Sequence, residues 1–191
     1  MPEPPSRPIS FAAPADLARW LAAHHETASE LWVRIYKKGS DRPSVTWVDC
    51  VVEAIAFGWI DGHKKALDEG SYLQRLTPRK PGSQWSRKNR EHAERLIAEG
   101  RMTPAGRRHV DAARDDGRWE NAYAGSAAME IPADFLEALD RNPPAKECFA
   151  TLDRKNLYAI YYRLATAKRP ETRAKRMNAM LEQLARGEGF H

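Results

Sequence analysis

The sequence predicts an α+β fold: a small, largely antiparallel sheet with helices, followed by a C-terminal helical bundle region. Three observations carry that expectation. Segments rich in β-formers, Leu31–Tyr36, Trp59–Lys65 and Tyr72–Leu76, lie close together in the chain, the last two split by the turn signal Asp68-Glu69-Gly70. Apolar residues at helical spacing fill the stretches between and after them. Beyond Ile131 only the helical period remains, and strand order cannot be read from such a pattern.

Taken in order, residues 1–10 form a Pro-rich tail expected to be mobile, with structure starting at Phe11. Pro14 suits the first helical turn, and Leu17, Trp20 and Leu21 continue a short amphipathic helix to about His25. The strand Leu31–Tyr36 is broken by Gly39-Ser40-Asp41-Arg42-Pro43. Thr46, with Asp49 three residues on, starts a helix over Trp47–Phe57, because the hydroxyl accepts a backbone N–H and the carboxylate sits at the positive end. Gly58 closes that helix, and the hairpin of Trp59–Lys65 and Tyr72–Leu76 follows. Thr77–Ser83 is a Pro/Gly loop leading to a helix capped by Ser83 or Ser86, with Trp85, Asn89, Ala93, Leu96 and Ile97 on one face. Thr103-Pro104 starts another, ending near Asp115. The domain of residues 11–120 is thus separated by a linker, 121–131, from a helical region, 132–187. Its helices are Pro132–Leu139, Pro144–Thr151, one capped by Asp153 with the stripe Leu157, Ile160, Tyr161 and Leu164, and one from Pro170 to Gly187.

Composition narrows the function. With 191 residues, 42% apolar and 30% charged, and a mean hydropathy of −0.69, the chain has room for one or two small domains. The longest apolar run, Ala54–Ile60, stops at Asp61 and falls far short of the roughly 18 to 20 residues a bilayer needs. Four prolines and no apolar core in the first eight residues do not read as a secretory signal, so a cytoplasmic location is expected. Cys50 and Cys148, far apart, fit two reduced thiols. The net charge is +5, but it is segregated: residues 61–110 carry 12 Lys and Arg against 6 Asp and Glu, and residues 145–186 carry 10 against 4. An anionic partner or simple solvated helix faces would each account for this.

Phosphate-loop, nucleophile-elbow and zinc-protease motifs are absent. His24 and His25 are adjacent and point about 100° apart on a helix, and His63, His92 and His109 show no close ligand spacing, so neither metal nor cofactor is assigned. Strict alternation puts Asp61 and His63 on one strand face and Lys64 on the other, leaving Asp61 as a candidate general base. The denser constellation is Trp59, Asp61, Lys64, Arg75, Arg79, Trp85, Ser86 and Asn89. Arginine forks suit a carboxylate or phosphate, tryptophan offers a stacking face, and a helix start presents free N–H groups. In an antiparallel hairpin Asp61 and Lys64 would lie near Arg75, with Arg79 at one end, forming a cleft for a small anion. The structural alternative makes Trp59 and Trp85 core, pairs Asp61 with Arg75 or Arg79, and leaves Ser86 as a cap. A second basic run, Lys168–Arg176, opposes the macrodipole of its own helix. It would suit nucleic acid or another anionic surface, although no nucleic-acid motif accompanies it.

The runs Leu31-Trp32-Val33, Tyr36-Lys37-Lys38-Gly39, Phe57–Gly62, Lys64-Lys65, Gln74–Lys80, Trp85-Ser86, Asn89, Gly100–Gly106, Asp116–Trp119 and Ala167–Arg173 resemble the YdeI/OmpD-associated family, also called bacteriocin-protection proteins, over about Phe11 to Gly187. The resemblance implies tolerance of bacteriocins or cationic antimicrobial peptides, with an outer-membrane porin as partner. It supplies no reaction and no catalytic residues. The expectation is therefore a stress or antimicrobial-tolerance protein that binds a small anionic ligand through the Trp59–Asn89 constellation, with an interaction module on the basic C-terminal helices and an enzyme using Asp61 as alternatives.

Overall fold

The computed structural model describes residues 7–191. The chain divides into two compact units, one ending at Glu120 and one starting at Asn121. The first holds a four-stranded mixed sheet and four helices, the second four helices, an α+β architecture. No helix among the described residues is long and apolar enough to cross a membrane.

In the first unit the elements run β1 (Ile9–Ser10), α1 (Pro14–His24), β2 (Leu31–Tyr36), α2 (Trp47–Ala56), β3 (Trp59–Asp68), β4 (Ser71–Pro78), α3 (Arg87–Ala98) and α4 (Pro104–Asp115). The sheet order is β1-β2-β4-β3; β1 lies parallel to β2, and the other pairs are antiparallel. Part of the expected tail is therefore structure: Ile9 pairs with Val33 and Ser10 with Arg34. Residues 1–6 of that tail lie outside the described residues. The hairpin is longer than its β-former pattern, because ladder bonds carry β3 through Leu67 and Asp68, where turn chemistry alone had been legible.

Alternation on β2 buries Leu31, Val33 and Ile35 against Leu17 and Leu21 of α1 and Cys50 and Ala54 of α2. Each such buried aliphatic stabilises by about 1.5–3 kcal/mol. All of residues 50–56 are buried, because α2 packs on the sheet, on α1 and on α3 and α4. Thr46 caps α2 by accepting the Asp49 N–H at 3.2 Å, while Asp49 accepts the Thr46 N–H at 2.8 Å. Ser86, not Ser83, caps α3. Two glycines allow the helices this close. Gly106 of α4 faces α2 so tightly that a Cβ would stand 2.4 Å from the Ala56 carbonyl oxygen. Gly58, at φ +75°, turns the chain from α2 into β3 where a Cβ would meet His109 Cδ2 at 2.8 Å.

The second unit contains a short 3-10 turn (Ser126–Ala128), α5 (Ala133–Asp140), α6 (Pro143–Ala150), α7 (Arg154–Ala165) and α8 (Pro170–Ala185). Phe135, Leu139, Ala145, Ile160, Leu164, Met180 and Leu184 form its core. Asn142 and Asp153 cap α6 and α7 by accepting the N–H groups of Ala145 and Asn156.

Candidate functional site

The eight residues of the Trp59–Asn89 constellation do not converge on one cleft. Trp59 is 1% exposed and belongs to the core. Its indole N–H donates to the His25 carbonyl at 3.1 Å, and its ring meets Trp20 edge-on. Arg75 opposes Trp32 on β2, so it points to the sheet face away from Leu76 and the helices, where it pairs with Glu30 at 2.7 Å. Arg79 is only 4% exposed. Its guanidinium lies 3.9 Å from the ring centre of buried Trp85, and its Nη1 donates to the Gln84 carbonyl. Trp85 in turn packs edge-on against Trp119. Ser86 accepts the Asn89 N–H at 3.1 Å, which is the cap of α3. The structural alternative holds for the two core tryptophans and the serine cap, but not for its ion pair: Arg75 meets Glu30 and Arg79 stacks on Trp85, while Asp61 accepts from Trp47.

Asp61 and Lys64 behave differently, and a bulge decides their placement. Asp61 opposes Leu76 and Lys64 opposes Gln74, so Gly62 and His63 together face the single residue Arg75. The buried Gln74 amide secures the irregularity by donating to the Gly62 and Arg75 carbonyls at 3.0 and 3.2 Å. The extra residue brings Asp61 and Lys64 to one face, the one covered by helices, and moves both away from Arg75. Strict alternation had separated them, and a bulge of this kind has no pattern in the sequence beyond Gly62.

On that face Asp61 accepts the indole N–H of Trp47 at 3.2 Å, and the Lys64 ammonium sits 4.0 Å from the centre of the Tyr72 ring. Trp47 and Tyr72 both line a groove of about 440 Å³ between the end of β2, the 37–46 loop and the start of α2. Lys37, Lys38 and Arg42 supply cations to the same groove, and Tyr36, Ser40, Ser44 and Thr46 supply hydroxyls. The Arg42 guanidinium donates to the Tyr36 hydroxyl at 3.0 Å, which holds that phenol below its usual pKa. Arg34 stacks over the Tyr36 ring while pairing with Asp68 at 2.6 Å. Trp47, first residue of α2, is 46% exposed although it is among the largest apolar side chains of the protein. In the sequence these residues read as separate pieces, Gly39–Pro43 as a turn, Trp47 as the start of a helix and Tyr72 as strand, and nothing there joins them. Their convergence needs the loop to fold back, as Ser44 makes it do by accepting the Tyr36 N–H at 3.0 Å.

Other chemistry-bearing groups have structural roles. Cys50 is fully buried, and burial pushes its thiol up to about 12, so it is inert as a nucleophile. Glu53 is 4% exposed and pairs with Arg101; burial raises its carboxyl above the ordinary range, against the pull of that arginine. The basic run on α8 is partly committed as well. Arg173 grips both carboxylate oxygens of Asp134, and Arg176 Nη1 donates to the Arg163 carbonyl at the end of α7. No group of three or more His, Cys, Asp or Glu side chains suited to a metal occurs among the described residues.

Residues 9–109 match the family model described as a domain of unknown function, DUF8412. Residues 128–187 match the model described as bacteriocin-protection, YdeI or OmpD-associated. Comparison with curated proteins and with solved structures returned no match. The groove, and all eight residues of the constellation, fall under the first model; the four helices of the second unit make up the second. The YdeI/OmpD-associated family is matched in the second unit alone, not from Phe11 onward: of the runs that resemble it only Ala167–Arg173 falls within the match, and those from Leu31 to Gly106 lie under the first model. The first match spans more than half of the chain, so the chain belongs to the DUF8412 family.

Proposed function

We propose that the first unit is a ligand-binding domain whose groove at Trp47 takes a small anionic molecule with a flat or ring-shaped part. One observation carries this reading: Lys37, Lys38 and Arg42 converge with the rings of Tyr36, Trp47 and Tyr72 around a single groove. A concave site lined by one sign of charge concentrates ligands of the other sign, and aromatic walls bind their apolar parts. Asp61 holds the Trp47 indole in place, and Lys64 adds a cation beside Tyr72. The bacteriocin-protection name of the family segment describes an outcome in the cell. Ligand capture by the first unit is the chemistry we place beneath it.

The experiment is a thermal-shift panel of nucleotides, sugar phosphates, aromatic carboxylates, short RNA and short DNA on wild type and on the double variant Lys38→Ala, Arg42→Ala. Binding to the folded state alone adds about 2.7 kcal/mol at a hundredfold excess over the dissociation constant. A shift with one small anion that disappears in the double variant supports the groove. Shifts that are equal in both proteins, or that occur only with the polyanions, refute it.

A further inference from the structure

A second cleft, of about 320 Å³, opens in the first unit and shares no lining residue with the groove at Trp47. Its walls include two imidazoles, His25 and His109, together with Arg108, Glu26 and the Phe57-Gly58 turn. His25 Nδ1 lies 2.9 Å from the Leu21 carbonyl oxygen, an acceptor only, so Nδ1 carries a proton whatever the charge of the ring. The other ring nitrogen, Nε2, stands 3.8 Å from Glu26, too far for a hydrogen bond, and the ring packs against Phe57. His109 presses against Gly58, where a Cβ would meet its Cδ2 at 2.8 Å, so only glycine leaves room for the imidazole at this wall.

We propose that this cleft is an oxyanion site, taking a phosphate or carboxylate group of a small ligand between His25, Arg108 and His109. The charges around it argue for an anion. Burial and the guanidinium groups of Arg79, Arg108 and Arg118 lower the His109 pKa, so the ring is neutral at pH 7. Glu26, which is exposed, is the carboxylate among the lining residues. An incoming oxyanion offsets the repulsion among these cations, and His109 then accepts a proton and donates it as a hydrogen bond. Binding is thereby coupled to proton uptake, and by linkage affinity rises as pH falls between the bound and free pKa values of the imidazole, by up to about tenfold per pH unit for one proton.

The test follows the six histidine rings by long-range proton–nitrogen NMR during titration with inorganic phosphate and, separately, acetate at pH 6, 7 and 8. The expected result is a phosphate- or acetate-dependent shift of the His25 and His109 resonances, a rise in the His109 pKa on binding, and tighter binding at pH 6 than at pH 8. The two anions separate a phosphate site from a carboxylate site. Arg108 is exposed, so Arg108→Gln should leave the fold intact and weaken binding about tenfold or more, while Lys38→Ala, Arg42→Ala leaves it unchanged. Silence of both rings toward both anions, a dissociation constant independent of pH, or undiminished affinity in Arg108→Gln would overturn the proposal. Each of these results leaves the groove at Trp47 to its own test.

Discussion

Gly58→Ala separates two costs that glycine normally hides together. At φ +75° an alanine occupies the left-handed region, and its Cβ would meet His109 Cδ2 at 2.8 Å and the Ala105 carbonyl oxygen at 2.9 Å. Left-handed strain costs about 1 kcal/mol, and forced repacking of a tight contact adds roughly 1–3 kcal/mol. Two other glycines isolate the contributions. Gly82 has φ +78°, and a Cβ there would meet nothing within 4 Å, so Gly82→Ala carries the strain alone. Gly106 lies within α4 without a left-handed φ, yet a Cβ would stand 2.4 Å from the Ala56 oxygen, so Gly106→Ala carries the overlap alone. The assay is denaturant unfolding followed by tryptophan fluorescence. All six tryptophans, from Trp20 to Trp119, lie in the first unit, so the signal reports that unit. Losses of about 1 kcal/mol for Gly82→Ala and about 2–4 kcal/mol for Gly58→Ala are expected. Equal losses for these two would refute the close approach of α4 to the Gly58 turn.

Arg173→Ala should cost the second unit about 1 kcal/mol, since the pair with Asp134 is bidentate but partly exposed, and should leave any nucleic-acid affinity unchanged; hydrogen exchange of the α5 and α8 amides reads the first, and binding of labelled RNA the second. The Arg173 hydrogen bond holds the Asp134 carboxyl below its ordinary range. Its contribution is therefore complete above the unfolded value near 3.8 and is lost as pH falls through the lower folded value, a dependence that Asp134→Asn removes from acid-unfolding curves. A thiol reagent at pH 8 should modify Cys148, which is partly exposed, and spare Cys50 until the chain is unfolded, giving about one reactive thiol per native chain. Thr46→Ala should destabilise the first unit by about 1 kcal/mol through loss of the α2 cap, read by the same tryptophan fluorescence.

The candidate site was less legible than the fold, for reasons visible at single residues. Trp59, Arg79 and Trp85 have the side chains a ligand site uses, but the same properties suit a core: large rings bury well, and a guanidinium can stack on one and bond to carbonyls. Arg75 was placed beside Asp61 by sequence proximity across a hairpin. The ladder sets Asp61 against Leu76, and the pleat turns Arg75 to the opposite face. Tyr72 lies far enough along the chain from Arg42 and Trp47 that no local pattern joins it to them.

The sequence by itself determined what depends on neighbours along the chain. Helical and strand periods, the caps at Thr46, Thr103 and Asp153, the hairpin turn and the left-handed closure at Gly58 all follow from interactions spanning a few residues, and the structure contains each of them. Tertiary structure alone decided what depends on distant partners: the β1-β2-β4-β3 order, the pairing of Ile9 with Val33, the bulge facing Arg75, and which charged side chains end in the core or around a groove. The physical reason is that a local hydrogen bond or cap competes only with its own alternatives. The face a side chain finally occupies is settled by burial and ladder registration summed over the whole unit.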